Sequence, residues 1–265
     1  MNSNLKTLLP RVLTCLCIVL FFSAFLLADR KPVLYIIGDS TVQNNDGNGI
    51  NEYWGWGTLL KPYLDTNRIS LQNHAKSGTS SRTFQTEGRW EKVLAVLKPG
   101  DYVILQFGHN DQAVINDSAR AKGSLKGLGE DTAQIFNLKT KQFEIVHTYG
   151  WYMRKYLSDI KAKGAIPLVC SLVPRFKWKN GKVDKEQEYV DWARATATAN
   201  GAFFIDLNNR IATKWEQLGA DSVKHFFPSD HTHTNSAGAS LNAGCVAEGI
   251  LSLKGFSLAD YLRKK

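Results

Sequence analysis

Five short apolar runs punctuate the chain: Val33 to Ile37, Ile69 to Asn73, Tyr102 to Phe107, Ile166 to Leu172 and Ala202 to Leu207. They are too continuous for strands with one face in water, where apolar and polar residues alternate. Segments with helical periodicity separate most of them, which is the signature of parallel strands joined by crossover helices. Trp54 to Leu64 and Trp90 to Leu97 are two expected helices. Tyr149, Met153, Tyr156, Leu157 and Ile160 mark a third, because residues at that spacing share one helical face and pack on a sheet. Helical patterns also cover Lys185 to Ala199, Arg210 to Leu218 and Ala237 to Leu251. The expected architecture is a three-layer α/β/α sandwich on a five-stranded parallel sheet. The longest irregular segment, about Gln112 to Lys141, follows the third run and carries Gly123, Gly127 and Gly129. A loop of that length is expected to be functional or mobile.

The chain has 265 residues, of which 43% are hydrophobic and 22% charged, with 13 Phe, 9 Tyr and 7 Trp. That composition supports a packed core and argues against disorder. No linker-like stretch divides it, so a single domain is expected over residues 29–265. The first residues read differently. Lys6 and Arg11 precede an apolar stretch from Val12 to Leu27, and the small Ala28 precedes Asp29-Arg30-Lys31. This is the pattern of a secretory signal peptide over residues 1–28, cleaved near Ala28. The run is short for a membrane span, although a retained single-helix anchor stays open. Export implies a secreted or periplasmic protein.

Removing residues 1–28 takes away Lys6 and Arg11 and no acid, so the formal charge falls from +9 to +7. No dense basic run carries that charge. Lys122, Lys126, Lys139 and Lys141 are scattered, and the stretch Arg175 to Lys179 reads as a solvated turn beside Asn180-Gly181. Nucleic acid is disfavoured and an extracellular polyanion is not. Cys15 and Cys17 lie in the signal, which leaves Cys170 and Cys245 as expected buried thiols, with one bridge between them open. No C-x-x-C pair exists to hold a metal.

In open parallel sheets, ligands gather at the carboxyl ends of the strands. Four chemical blocks fall there. Gly38-Asp39-Ser40-Thr41 follows the first run, and Asn73-His74-Ala75-Lys76-Ser77-Gly78 ends the second. Phe107-Gly108-His109-Asn110-Asp111 ends the third. Past the last strand, Phe227-Pro228-Ser229-Asp230-His231-Thr232-His233 precedes the final helix. A serine is a poor nucleophile until an imidazole takes its proton; the imidazole needs an oriented tautomer, and the tetrahedral oxyanion needs donors. Ser40, His233 as general base, Asp230 as its orienting partner and the Asn110 amide fit those needs. Asp230, His231 and His233 could instead ligate zinc, but no further His or Cys cluster completes a set.

These blocks resemble the SGNH (GDSL-type) hydrolase superfamily, whose pattern is Gly-Asp-Ser, then Gly, then Gly-x-Asn-Asp, then Asp-x-x-His. Within it the chain is most similar to the rhamnogalacturonan acetylesterases, through Gly-Asp-Ser-Thr-Val, Asn-His-Ala-Lys-Ser-Gly, Gly-His-Asn-Asp, the run His147 to Tyr152 and Asp230 to Thr234. The resemblance implies a flavodoxin-like fold and a triad of Ser40, Asp230 and His233. It also implies an oxyanion hole made by the backbone N–H groups of Ser40 and Gly78 and the side chain of Asn110. Neither cofactor nor metal is implied. The Gly-x-Ser-x-Gly elbow of α/β-hydrolases is absent. The expected activity is removal of O-acetyl groups from a pectic polysaccharide, rhamnogalacturonan foremost. The alternatives are an O-acetyltransferase with the same triad, an acetylxylan or other acetyl esterase, a glycan-binding module and a lipid esterase. The expected partner is the acetylated polysaccharide, with no nucleic acid, no membrane after signal cleavage, and a monomeric chain. Arg120, Lys122 and Lys126 are expected near the mouth of the site, where they could track an acidic polymer.

Overall fold

The structure, a computed structural model, describes residues 30–44 and 53–263. The expected signal peptide lies outside them. Along the chain come β1 (Val33–Gly38), a 3-10 turn (Thr58–Tyr63), β2 (Ser70–Asn73), α1 (Ser81–Thr86), α2 (Arg89–Val96) and β3 (Tyr102–Gln106). A hairpin follows, β4 (Thr132–Asn137) and β5 (Gln142–His147), then α3 (Tyr149–Ala162) and β6 (Ile166–Cys170). A second hairpin, β7 (Trp178–Lys179) and β8 (Lys182–Val183), precedes α4 (Gln187–Ala199) and β9 (Phe203–Ile205). The chain closes with α5 (Leu207–Leu218), α6 (Ala220–Lys224), α7 (Ser236–Ser252) and a 3-10 turn (Ser257–Tyr261).

All five apolar runs become strands of one parallel sheet, in the order β2-β1-β3-β6-β9. The chain steps from β1 to β2, then crosses back past β1 to β3 and continues the other way. At such a reversal a crevice opens beyond the strand ends, and here it lies between β1 and β3. Ser40 follows β1 and Asn110 follows β3, so the topology delivers both to one crevice.

Alternate residues of the strands serve opposite layers. Leu34, Ile36, Ile104, Leu168 and Cys170 pack with Leu60, Ile211, Trp215, Val246 and Ile250, in the layer that holds α5 and α7. Tyr35, Ile37, Val103, Leu105 and Val169 pack with Trp90, Met153, Tyr156, Ile160 and Val190, from α2, α3 and α4. Each large apolar side chain removed from water contributes about 1.5–3 kcal/mol, so continuous apolar strands are what a sheet covered on both faces requires. The α3 stripe from Tyr149 to Ile160 is fully buried, and Thr148 caps that helix by accepting from the Trp151 N–H at 3.1 Å. Cys170 and Cys245 are buried, unbridged thiols of the first layer. Among the described residues no helix is long and apolar enough to cross a membrane.

Three local expectations fail. The segment 112–141 is not irregular throughout, because β4 lies in it and pairs antiparallel with β5, with Phe136 opposite Phe143. The helix expected over Trp54 to Leu64 shrinks to the 3-10 turn Thr58–Tyr63, which contains Pro62. Trp54 instead bridges to Thr234, and Gly55 lies so close to Val42 that a Cβ would come within 2.3 Å of its carbonyl carbon. The basic stretch 175–179 is not simply a solvated turn. Asn180 and Gly181, with φ of 51° and 75°, make the two-residue turn between β7 and β8, whereas Arg175 is half-buried and ion-paired to Glu186 at 2.6 Å.

Candidate active site

The turn after β1 is built on a close approach and a buried polar chain. A Cβ on Gly38 would lie 2.7 Å from the Gln106 carbonyl oxygen, so only glycine lets β1 end this tightly against β3. The Thr41 N–H and hydroxyl both donate to the Asp39 carboxylate, at 2.9 and 2.7 Å. The Gln106 amide donates to the Thr41 hydroxyl at 2.7 Å and accepts from the Trp56 indole at 2.8 Å. Ser40 is thus presented from a turn whose neighbours are fixed from below.

His233 reaches that serine across 193 residues of chain, with Nε2 2.8 Å from the Ser40 hydroxyl oxygen. Its Nδ1 lies 2.6 Å from Asp230 Oδ2. A carboxylate only accepts, so Nδ1 carries the proton and Nε2 is left to accept one from serine. Asp230 Oδ1 accepts from the backbone N–H groups of Thr232 and His233, each at 2.7 Å. Burial would raise the Asp230 pKa, but the hydrogen bonds from the His233 ring and from those amides outweigh it and hold the group below its ordinary value.

Two neighbouring segments, around Trp54 and around Arg175, hold this loop. The Trp54 N–H donates to the Thr234 carbonyl at 2.7 Å, the Phe176 N–H to the His231 carbonyl at 2.7 Å, and Arg175 to the Thr232 hydroxyl at 2.7 Å. Tyr53 lies against the imidazole, its ring centroid 4.9 Å from that of His233, and its hydroxyl meets Ser229 at 2.7 Å.

On the other side of the crevice, Gly78 occupies a left-handed turn with φ 81°. Its segment is tied to both strand ends: the Lys76 N–H donates to the Gly38 carbonyl at 2.9 Å, and the Asn110 amide donates to the Thr79 carbonyl at 2.9 Å. Asp111 turns away from solvent and accepts from Ser81 and Ser124, so it anchors the loop. Burial, the Arg175 charge and the nearby His233 push the His109 imidazole down to about 3, so it stays neutral in the working range.

Among the described residues no three His, Cys, Asp or Glu side chains converge to hold a metal ion. The His231 carbonyl accepts from Phe176, and the His233 ring is engaged by Ser40 and Asp230. Tyr53 and Arg175 carry no sequence signal as site residues because they reach the site through space. The spacing of Asp230 and His233 had no counterpart for them. Of the cations expected at the mouth, Lys126 is exposed and paired to Glu188 at 3.1 Å, whereas the Lys122 ammonium lies beside Gly78.

A serine hydroxyl backed by an imidazole and a carboxylate, at the switch point of this sheet, belongs to the α/β fold of SGNH hydrolases. The chain belongs to the GDSL-like lipase/acylhydrolase family, whose pattern matches residues 36–241, and it is a carboxylic ester hydrolase. It is 32% identical over 234 residues to a rhamnogalacturonan acetylesterase of Emericella nidulans, covering 87% of this chain and 89% of that one. It is 31% identical over 238 residues to the probable rhamnogalacturonan acetylesterase YesY of Bacillus subtilis, covering 88% and 98%. The crystal structure of YxiM from Bacillus subtilis superposes with a TM-score of 0.67 at 25% identity, covering 86% of this chain and 58% of that chain. An acetyl-xylooligosaccharide esterase from Geobacillus shares the fold, with a TM-score of 0.55 at 17% identity over 88% of this chain and 97% of that chain.

Proposed function

We propose that the protein is an exported carbohydrate acetylesterase that removes O-acetyl groups from a pectic polysaccharide, rhamnogalacturonan foremost. The observation that carries this reading is the hydrogen-bonded row from Ser40 through His233 to Asp230. The Ser40 oxygen attacks the acetyl carbonyl carbon while its proton passes to His233 Nε2. The oxyanion is received by the backbone N–H groups of Ser40 and Gly78 and by the Asn110 amide. Collapse expels the sugar oxygen, which takes the proton from His233 and leaves acetyl-Ser40. Water then attacks the acetyl group by the same route, giving acetate and free Ser40. Asp230 keeps the imidazole in the needed tautomer and stabilises its charged form. Two relatives named rhamnogalacturonan acetylesterases, similar over most of the chain, support the choice of polymer.

The test is acetate release from a panel of acetylated polysaccharides, rhamnogalacturonan against xylan, with long-chain lipid esters as a further arm. Rhamnogalacturonan is expected to be fastest. Faster release from xylan would overturn the substrate and leave the Ser40 chemistry standing.

A further inference from the structure

The loop between Ala113 and Gly123 carries a cation toward the site on a fixed backbone. Gly123 approaches Ala113 so closely that a Cβ would lie 2.0 Å from the Ala113 carbonyl oxygen, and its own carbonyl accepts from buried Arg82 at 2.7 Å. The Lys122 carbonyl accepts from the Ser80 hydroxyl at 2.6 Å. The side chain therefore starts from an anchored point, and it is half-buried. It ends at Gly78, where a Cβ would come within 2.9 Å of Lys122 Nζ.

Among the described residues that ammonium has no hydrogen-bond or ion-pair partner. Its charged neighbours are two cations and two acids, and neither acid bonds to it. Burial, followed by Arg120 and Lys139, lowers the Lys122 pKa by more than Glu87 and Asp39 restore. Glu87 is itself paired to Arg89 at 2.8 Å, and Asp39 is fully buried. The neighbouring hollow, which Ala121 and Lys139 line together with Glu87 and Glu144, does not include Lys122. A half-buried cation held beside Gly78 with no hydrogen-bonded anion among the described residues could take a carboxylate of the substrate as its anion.

We propose that Lys122 is a specificity-determining residue, whose ammonium receives the carboxylate of a uronic-acid unit at or next to the acetylated sugar. The assignment rests on the acetylesterase reading and sharpens it: the enzyme distinguishes acidic from neutral acetylated glycans through Lys122. The contact is made equally in the ground state and the transition state, so it acts on KM.

Wild type and Lys122→Met are compared on 4-nitrophenyl acetate and on an acetylated galacturonate oligosaccharide in its free-acid and methyl-esterified forms. An unacetylated galacturonate oligomer is added as an inhibitor of 4-nitrophenyl acetate hydrolysis. For the free-acid oligosaccharide KM is expected to rise about tenfold or more with kcat unchanged, the scale of one charge-assisted hydrogen bond. The inhibition constant of the oligomer should rise by the same factor. The methyl-esterified substrate and 4-nitrophenyl acetate should be unaffected, which also shows that the variant folds, and Lys122→Arg should keep the preference. A fall in kcat on every substrate would overturn the assignment, and so would an unchanged KM and inhibition constant. Faster wild-type action on acetylated xylan would overturn the substrate reading instead, and the inhibition constant would still decide Lys122.

Discussion

The side-chain amide of Asn110 donates to the backbone carbonyl of Thr79 at 2.9 Å, which ties the end of β3 to the segment that carries Gly78. A carbonyl can only accept, so this bond fixes which end of the amide is nitrogen and leaves the second N–H for the crevice. Asn110→Ala is expected to lower kcat by about 100- to 1000-fold with a smaller change in KM, because an oxyanion donor acts mainly in the transition state. Steady-state kinetics on a small acetyl ester check this. A raised KM at unchanged kcat would assign Asn110 to substrate binding instead.

Ser40 and His233 share one proton, so their losses should not add. Ser40→Ala, His233→Ala and the double variant are expected to fall to about the same residual rate, since either change alone removes the nucleophile's activation. Acetate release by the three proteins, with circular dichroism as the folding control, measures it. Near wild-type turnover by Ser40→Ala would end the mechanism.

Asp39 makes stability depend on pH in an unusual direction. Burial raises its pKa from 3.8 to about 6, with Asp111 adding to the rise and the Thr41 hydrogen bonds opposing it. Between those values the folded chain binds more proton than the unfolded chain, so this group's contribution is complete at low pH and is lost as pH rises through about 6. The full loss is about 3 kcal/mol. Urea unfolding at pH 4 and pH 7 should therefore show a smaller loss on raising pH for Asp39→Asn than for wild type. Identical losses in the two proteins would refute the assignment.

Arg82 has a fully buried side chain, and its fork meets Glu144 at 2.7 and 2.6 Å while also donating to the carbonyls of Ile115 and Gly123. The pair joins α1 to β5 and clamps the loop that bears Lys122. Glu144→Ala leaves a buried guanidinium uncompensated and is expected to cost about 3 kcal/mol or more. Chemical denaturation gives the number. A cost within about 0.5 kcal/mol, the range of ordinary surface changes, would mean that the clamp is dispensable.

What was legible in the sequence was whatever repeats at a fixed spacing or stands next to a strand end. β1, β3 and β6 are uninterrupted because both faces are covered, and Ser40 and Asn110 follow β1 and β3 directly. The β4–β5 hairpin was not legible, because it has no core on one side: Phe143 and Ile145 stay 75% and 58% exposed, so burial imposed no pattern to read. The three glycines before it suggested loop. The 3-10 turn at Thr58–Tyr63 was misread because its apolar residues, Leu59, Leu60 and Tyr63, keep near-helical spacing while Gly55 and Pro62 prevent a full helix. Tyr53 beside His233, and Lys122 beside Gly78, are contacts between segments far apart in the chain. No local signal encodes them.

Cys170 in β6 and Cys245 in α7 belong to the same core layer yet remain separate thiols. Burial raises both pKa values, that of Cys245 to about 11, so the thiolate that would attack a disulfide or an oxidant is scarce at neutral pH. Between these two residues the layer coheres by packing alone, with no sulfur cross-link to form or to lose. For this pair, while the chain is folded, the redox poise of the surroundings is a matter of indifference, and adding a reductant to the native enzyme should leave its activity the same.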